Sequence, residues 1–107
     1  MALLPIVPNY KLMFKYDIQQ ELYEPYYRYI MGEFMPGLQS MKLYPFMVWH
    51  IAYGEYPLRQ IEFVCESLEV LHTAFESELW NKLEARLKTY TFNYERKVVR
   101  FEDRFQF

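Results

Sequence analysis

The first stretch with a clear hydrophobic period is YKLMFKYDI. Tyr10, Leu12, Phe14, Tyr16 and Ile18 alternate there with Lys11, Met13, Lys15 and Asp17, the period of a strand with one buried face. QQELYEPYYRYIMGEFMPGLQSMK follows and changes the period. Leu22, Tyr26, Tyr29 or Ile30, Phe34, Leu38 and Met41 recur at helical spacing. Pro25 suits only a first turn, and Pro36 predicts a kink, or a break with Pro36 opening a second short helical piece, because an interior helical proline costs about 3 kcal/mol. Residues 43–53 and the run RQIEFVCE read as two strands, with GEYP supplying turn residues between them. SLEVLHTAFESELWNKLEARLKTY reads as one helix capped by Ser67, with Leu68, Leu71, Phe75, Leu79, Leu83, Leu87 and Tyr90 as its apolar stripe. FNYERKVVRF closes as a last strand.

The resulting order, βαββαβ, is that of an α+β ferredoxin-like domain. It predicts a four-stranded antiparallel sheet with the first and third strands central and both helices on one face. The chain reads as one domain over residues 1–107, with a core of about 10–101 between short tails. Residues 47–53, MVWHIAY, show no wet face under either parity. The sheet face opposite the helices carries Met13, Val48 and Val64 in this reading and needs a cover, the simplest being the same face of a second copy. A homodimeric α/β barrel is therefore expected.

Composition narrows the function classes. Eleven tyrosines carry large apolar area with a polar tip, which suits interfaces and half-wet cavities. A net charge of −2 excludes the strongly basic balance of a nucleic-acid binder, and the basic residues from Lys82 to Arg104 alternate with acids as a solvated face. No apolar run reaches the roughly 18 residues that span a bilayer. MALLPIVP lacks the charged start of a leader, so neither membrane nor export is expected. One cysteine and two histidines exclude an intramolecular disulfide and a dedicated metal site, and they fit a reducing cytoplasm. No phosphate loop or nucleophile elbow is present among only three glycines. The protein is expected to purify colourless, without cofactor or metal.

The kinked segment EFMPGLQSM, running into LYPFMVWHIAYGEYP and then into ESLEVLHTAFESELWNKLEARLKTYTFNYERKVVRF, resembles the NIPSNAP-like branch of the dimeric α/β-barrel proteins. The likeness covers residues 10–101. In that group a proline-containing helix leads to a strand bearing a tryptophan, here Trp49, then to a glycine turn and a helix with a Ser-x-x-Trp-like element, here Ser77 to Trp80. The glycine expected between the first helix and the second strand is replaced by Met41, Lys42 and Leu43. The resemblance implies the fold and homodimerisation more than an activity, since the wider superfamily includes cofactor-independent monooxygenases, haem-degrading enzymes and isomerases.

His50 is the leading candidate for chemistry. Pairing Tyr53 with Arg59 sets Ile51 opposite Ile61, Trp49 opposite Phe63 and Met47 opposite Cys65, which matches like with like on the helix side. His50 then stands opposite Glu62, with Lys11 and Lys15 on the adjacent strand. A carboxylate beside an imidazole raises its basicity, as a general base requires. The plainer reading is a polar network that sets strand register at the dimer interface. A register slipped by one residue would send His50 to the helix side, among tyrosines, and turn Trp49 toward the partner. Tyr23, Tyr26, Tyr27 and Tyr29 cannot all face the core, so Tyr26 and Tyr29, with Lys15 and Trp49, are candidate ligand-lining residues beside the catalytic candidates His50 and Glu62. His72 reads as a boundary residue and Cys65 as a buried hydrophobe. Three functions remain open: a homodimer holding a small apolar or aromatic molecule in each subunit, a cofactor-independent monooxygenase or isomerase with His50 as base, and a purely structural or protein-binding dimer.

Overall fold

The computed structural model describes residues 6–53 and 56–102, with side chains throughout except at 48–53 and 56–58. Strand β1 spans Tyr10–Ile18, β2 Tyr44–Tyr53, β3 Tyr56–Cys65 and β4 Thr91–Arg100. They form one antiparallel sheet in the order β2-β3-β1-β4, with β1 and β3 central as the βαββαβ order requires. Helices α1 (Tyr23–Tyr29) and α2 (Met35–Ser40) connect β1 to β2, and α3 (Leu68–Phe75) and α4 (Glu78–Tyr90) connect β3 to β4. Their apolar sides meet Leu12, Phe14, Tyr16, Ile18, Ile61, Phe63 and Cys65 in the main core. Phe14 sits at its centre, 5.4 Å from the Phe34 ring and stacked on Trp80 at 5.9 Å.

The kink expected at Pro36 is a π turn over Ile30–Phe34, in which the Met35 N–H donates to the Ile30 carbonyl. Pro36 has no N–H to give, so the helix widens just before it and resumes with Pro36 in the first turn of α2. Lys42 does the work of the missing glycine. It takes φ of 66° while its N–H bonds the Gln39 carbonyl and the Leu43 N–H bonds the Leu38 carbonyl, each at 3.0 Å, a Schellman ending.

The single helix expected over residues 67–90 is two. Ser67 caps α3 as anticipated, accepting from the Val70 N–H at 3.3 Å. Ser77 repeats the device: it donates to the Ala74 carbonyl at 2.7 Å and accepts from the Trp80 N–H at 3.1 Å, ending one helix and opening the next. The Ser-x-x-Trp element is thus a cap. The break also resets the stripe, so that Trp80, Leu83 and Leu87 are buried while Leu68 and Leu79 are exposed.

The hairpin register differs from the expected one by three residues. Tyr53 pairs with Tyr56, Val48 with Ile61, Trp49 with Gln60 and His50 with Arg59. This leaves two residues between the strands, the shortest common hairpin connection, and carries Tyr56 and Pro57 from the expected turn into β3. Near its start β2 has a bulge between Pro45 and Met47, at Phe46. An odd shift exchanges the two faces of the pleat. Positions 49 and 47 therefore share a face with Gln60 and Glu62, and position 50 shares the face of Arg59. Val48 is paired on the face opposite to that of Met13 and Val64.

That second face is also not bare. Met13 and Val64 are fully buried in the single chain, yet lie outside the main core. Burial of these two side chains therefore does not require a partner.

Candidate functional site

The sheet face toward the helices ends, at the α1 side, in a cluster of tyrosines around one arginine. Arg59 pairs with Tyr16 across β3 and β1, so their side chains emerge on the same face. Only 8% of Arg59 is exposed. Its Nη2 donates to the Tyr23 hydroxyl at 3.0 Å, and the guanidinium lies 5.9 Å from the centre of the Tyr27 ring. Its Nε is buried with no hydrogen-bond partner. No carboxylate among the described residues pairs with it. A buried cation with a phenol and a ring as its company is an uncommon arrangement, because burial of a charge ordinarily demands an opposite one.

The tyrosines are arranged by helix period. Tyr26 points inward and meets Tyr16, hydroxyl to hydroxyl, at 2.6 Å, while Tyr23 and Tyr27, on the flank of α1, are 37% and 47% exposed and stand at the surface. Burial raises the Tyr26 phenol to about 12 and holds that of Tyr16 well above its ordinary range, with the nearby Arg59 charge opposing both shifts. Both are neutral at physiological pH. Their mutual bond uses one of two protons and leaves the other hydroxyl hydrogen unspent.

The opposite face holds a second polar cluster of different character. Lys11 Nζ and a Glu62 oxygen lie 3.0 Å apart, each 2% exposed, and Gln60 donates to the other Glu62 oxygen at 2.9 Å. Above Lys11 stand the rings of Phe46 and Phe101, 5.4 and 5.7 Å from Nζ and 5.2 Å from each other. They come from the two edge strands' ends, and the bulge in β2 falls at Phe46. Together they close this end of the face over the central strands.

The structure divides the residues singled out in the sequence between these clusters. Of the two lysines placed on the face of Glu62, Lys11 meets it, while Lys15 pairs with Gln60 in register and is half-buried. His50 is paired in the backbone with Arg59 and not with Glu62, so the proposed cross-strand dyad is not formed by the register. The side chains of His50 and Trp49 lie outside the described residues. Tyr26 joins the arginine cluster. Tyr29 does not: it is buried and donates to the Leu83 carbonyl, tying α1 to α4. His72 is on the surface beside Glu76, and Cys65 is buried, its thiol pushed up by burial. Arg59 was missed. The alternation of Ile61, Phe63 and Cys65 puts position 59 on the helix face, but a lone arginine at the start of RQIEFVCE reads as a strand-end charge.

Other features add little to this site. A cleft of about 450 Å³ lies between α2 and α3, lined by Ser40, Met41, Ser67, Val70 and Ser77, and none of its lining residues is a candidate site residue. Among the described residues no group of three or more His, Cys, Asp or Glu side chains could hold a metal ion, and no helix is long and apolar enough to cross a membrane.

No family model matches the chain, and no curated protein matches it. Solved structures do. A NIPSNAP family protein of Agrobacterium tumefaciens superposes with a TM-score of 0.67 at 14% identity, over 90% of this chain and 88% of that one. A conserved protein of unknown function from Bacteroides thetaiotaomicron, named as a possible oxidoreductase, gives 0.68 at 8% identity over 88% and 98%. A dimeric ferredoxin-like protein from an uncultured marine organism gives 0.64 at 14% identity over 94% and 93%. At such identities the likeness establishes the ferredoxin-like fold, and the group that the sequence resembles is among the proteins that share it.

Proposed function

We propose that this chain is a homodimeric α/β-barrel protein of NIPSNAP-like type that holds a small aromatic or apolar molecule against the tyrosine cluster around Arg59. The observation that carries the reading is the buried guanidinium with a vacant Nε donor, bordered by the half-exposed rings of Tyr23 and Tyr27. Aromatic borders with a few placed polar groups are the ordinary make-up of a small-molecule site. The dimer is supported by the dimeric neighbour of the same fold. Titration with 2-naphthalenemethanol and 2-naphthoate, followed by calorimetry, tests the ligand: saturable 1:1 binding of either below about 1 mM, some 4 kcal/mol, supports the reading, and binding of neither overturns it. Sedimentation equilibrium tests the dimer, and a folded monomer at micromolar concentration contradicts it.

A second reading, a cofactor-independent monooxygenase or an isomerase with His50 as general base, is favoured by the backbone pairing of His50 with Arg59. In either reaction the base would first remove a proton from the substrate, with a neighbouring cation stabilising the anion formed. Washing of the methyl-ketone hydrogens of 2-acetylnaphthalene into D2O, followed by NMR, is the test. Catalysed exchange lost in His50→Ala supports this reading, and equal exchange in both proteins removes it. Glu62, remote from Arg59 on the other face of the sheet, is assigned to structure in both readings.

A further inference from the structure

We infer that the molecule held at this site is an acid, an aromatic carboxylate or phenolate whose anionic oxygen is bound by Arg59. The inference rests on the ligand-binding reading above and narrows it from aromatic molecules in general to aromatic anions.

The cluster holds unspent donors. Arg59 Nε–H has no acceptor, and the Tyr16–Tyr26 pair has two hydrogens for one mutual bond. No carboxylate of the described residues pairs with Arg59: Glu62 meets Lys11, Glu84 meets Arg96 and Tyr94, Glu33 meets Arg86, and Asp17 meets Asn93. A neutral aromatic guest would bury the site further while leaving the cation without a counter-charge, which adds desolvation cost. An oxyanion removes that cost and accepts from the guanidinium by a charge-assisted bond, the stronger kind. Tyr23 and Tyr27 are partly exposed beside Arg59, with rings 6.0 Å apart at an angle of 31°, and offer a guest's ring aromatic faces next to the guanidinium. The opposite face of the sheet has no such vacancy, since its buried lysine already has Glu62.

The test is a matched pair of probes on the full chain: 2-naphthoate, anionic at pH 7, and 2-naphthalenemethanol, its neutral counterpart. The expected result is at least about tenfold tighter binding of the anion, about 1.4 kcal/mol, with the preference lost in Arg59→Met and largely kept in Arg59→Lys. Equal or tighter binding of the alcohol by the wild type overturns the inference while leaving the ligand-binding reading intact. Binding of neither probe overturns that reading and the inference with it. Should Arg59→Met fail to fold, 2-acetylnaphthalene on the wild type supplies the control: an uncharged acceptor that matches 2-naphthoate in affinity also overturns the inference, and one that falls with the alcohol supports it.

Discussion

The two faces of the sheet each bury a cation, and they treat it in opposite ways. On the far face Lys11 has a carboxylate at 3.0 Å, the carboxylate has Gln60, and two phenylalanines lie close above the ammonium. On the helix face Arg59 has a phenol, a ring and an unfilled donor. Similar burial with unequal satisfaction sets the two cations apart: Lys11 is held in a closed ion pair, and Arg59 is the one proposed to bind a ligand.

The largest effect expected is on the far face. Glu62→Leu strands the Lys11 ammonium in a dry site and should destabilise the protein by about 3–5 kcal/mol, whereas Lys11→Met with Glu62→Leu should recover most of that loss. Urea denaturation of the single and double variants measures both, and a single variant as stable as wild type would erase the contrast between the faces.

A smaller effect is expected from the helix face at high pH. The Tyr26 phenol is raised from 10 to about 12, chiefly by burial. A raised folded-state value favours the protonated form, so its contribution is complete below pH 10 and is lost as pH rises toward about 12. At about 1.4 kcal/mol per unit this is about 3 kcal/mol. Unfolding free energies measured from pH 8 to 12 should therefore fall above pH 10, and fall less in Tyr26→Phe. A loss of equal size in both would place the alkaline sensitivity elsewhere.

Much of the fold was legible because alternation and helical spacing report burial directly. Leu12, Phe14 and Tyr16 on one strand face, and Tyr26, Phe34 and Leu38 on one helix face, are buried as their periods require. The break at Ser77 was hidden because EVLHTAFESELWNKL keeps apolar residues near helical spacing through it, and a capping serine resembles any polar position. The register was harder still. Matching like with like put Trp49 opposite Phe63, but Trp49 pairs with Gln60, beyond a bulge at Phe46, and a shift of three reverses the faces of β2 against β3. The Lys11–Glu62 contact survived in part because both residues lie on central strands, whose relation follows from alternation alone. The face of Arg59 follows from the same alternation; what alternation does not report is that Tyr23 and Tyr27 of α1 stand beside it.

The smallest stability effect should come from Arg59 itself. Arg59→Met removes the bond to Tyr23 but also a buried charge that has no carboxylate partner among the described residues, so unfolding free energy should stay within about 1 kcal/mol of wild type. A loss comparable to that of Glu62→Leu would make Arg59 a second structural cation and end the distinction between the faces.

The claim that Arg59 is a recognition group is tested most directly at its unfilled atom. The Nε–H resonance of Arg59, assigned by its loss in Arg59→Lys, can be followed by proton–nitrogen correlation NMR during titration with 2-naphthoate. A downfield proton shift that saturates with the bound fraction, together with slower exchange with water, is the predicted result. A resonance that does not move while the ligand binds would contradict it.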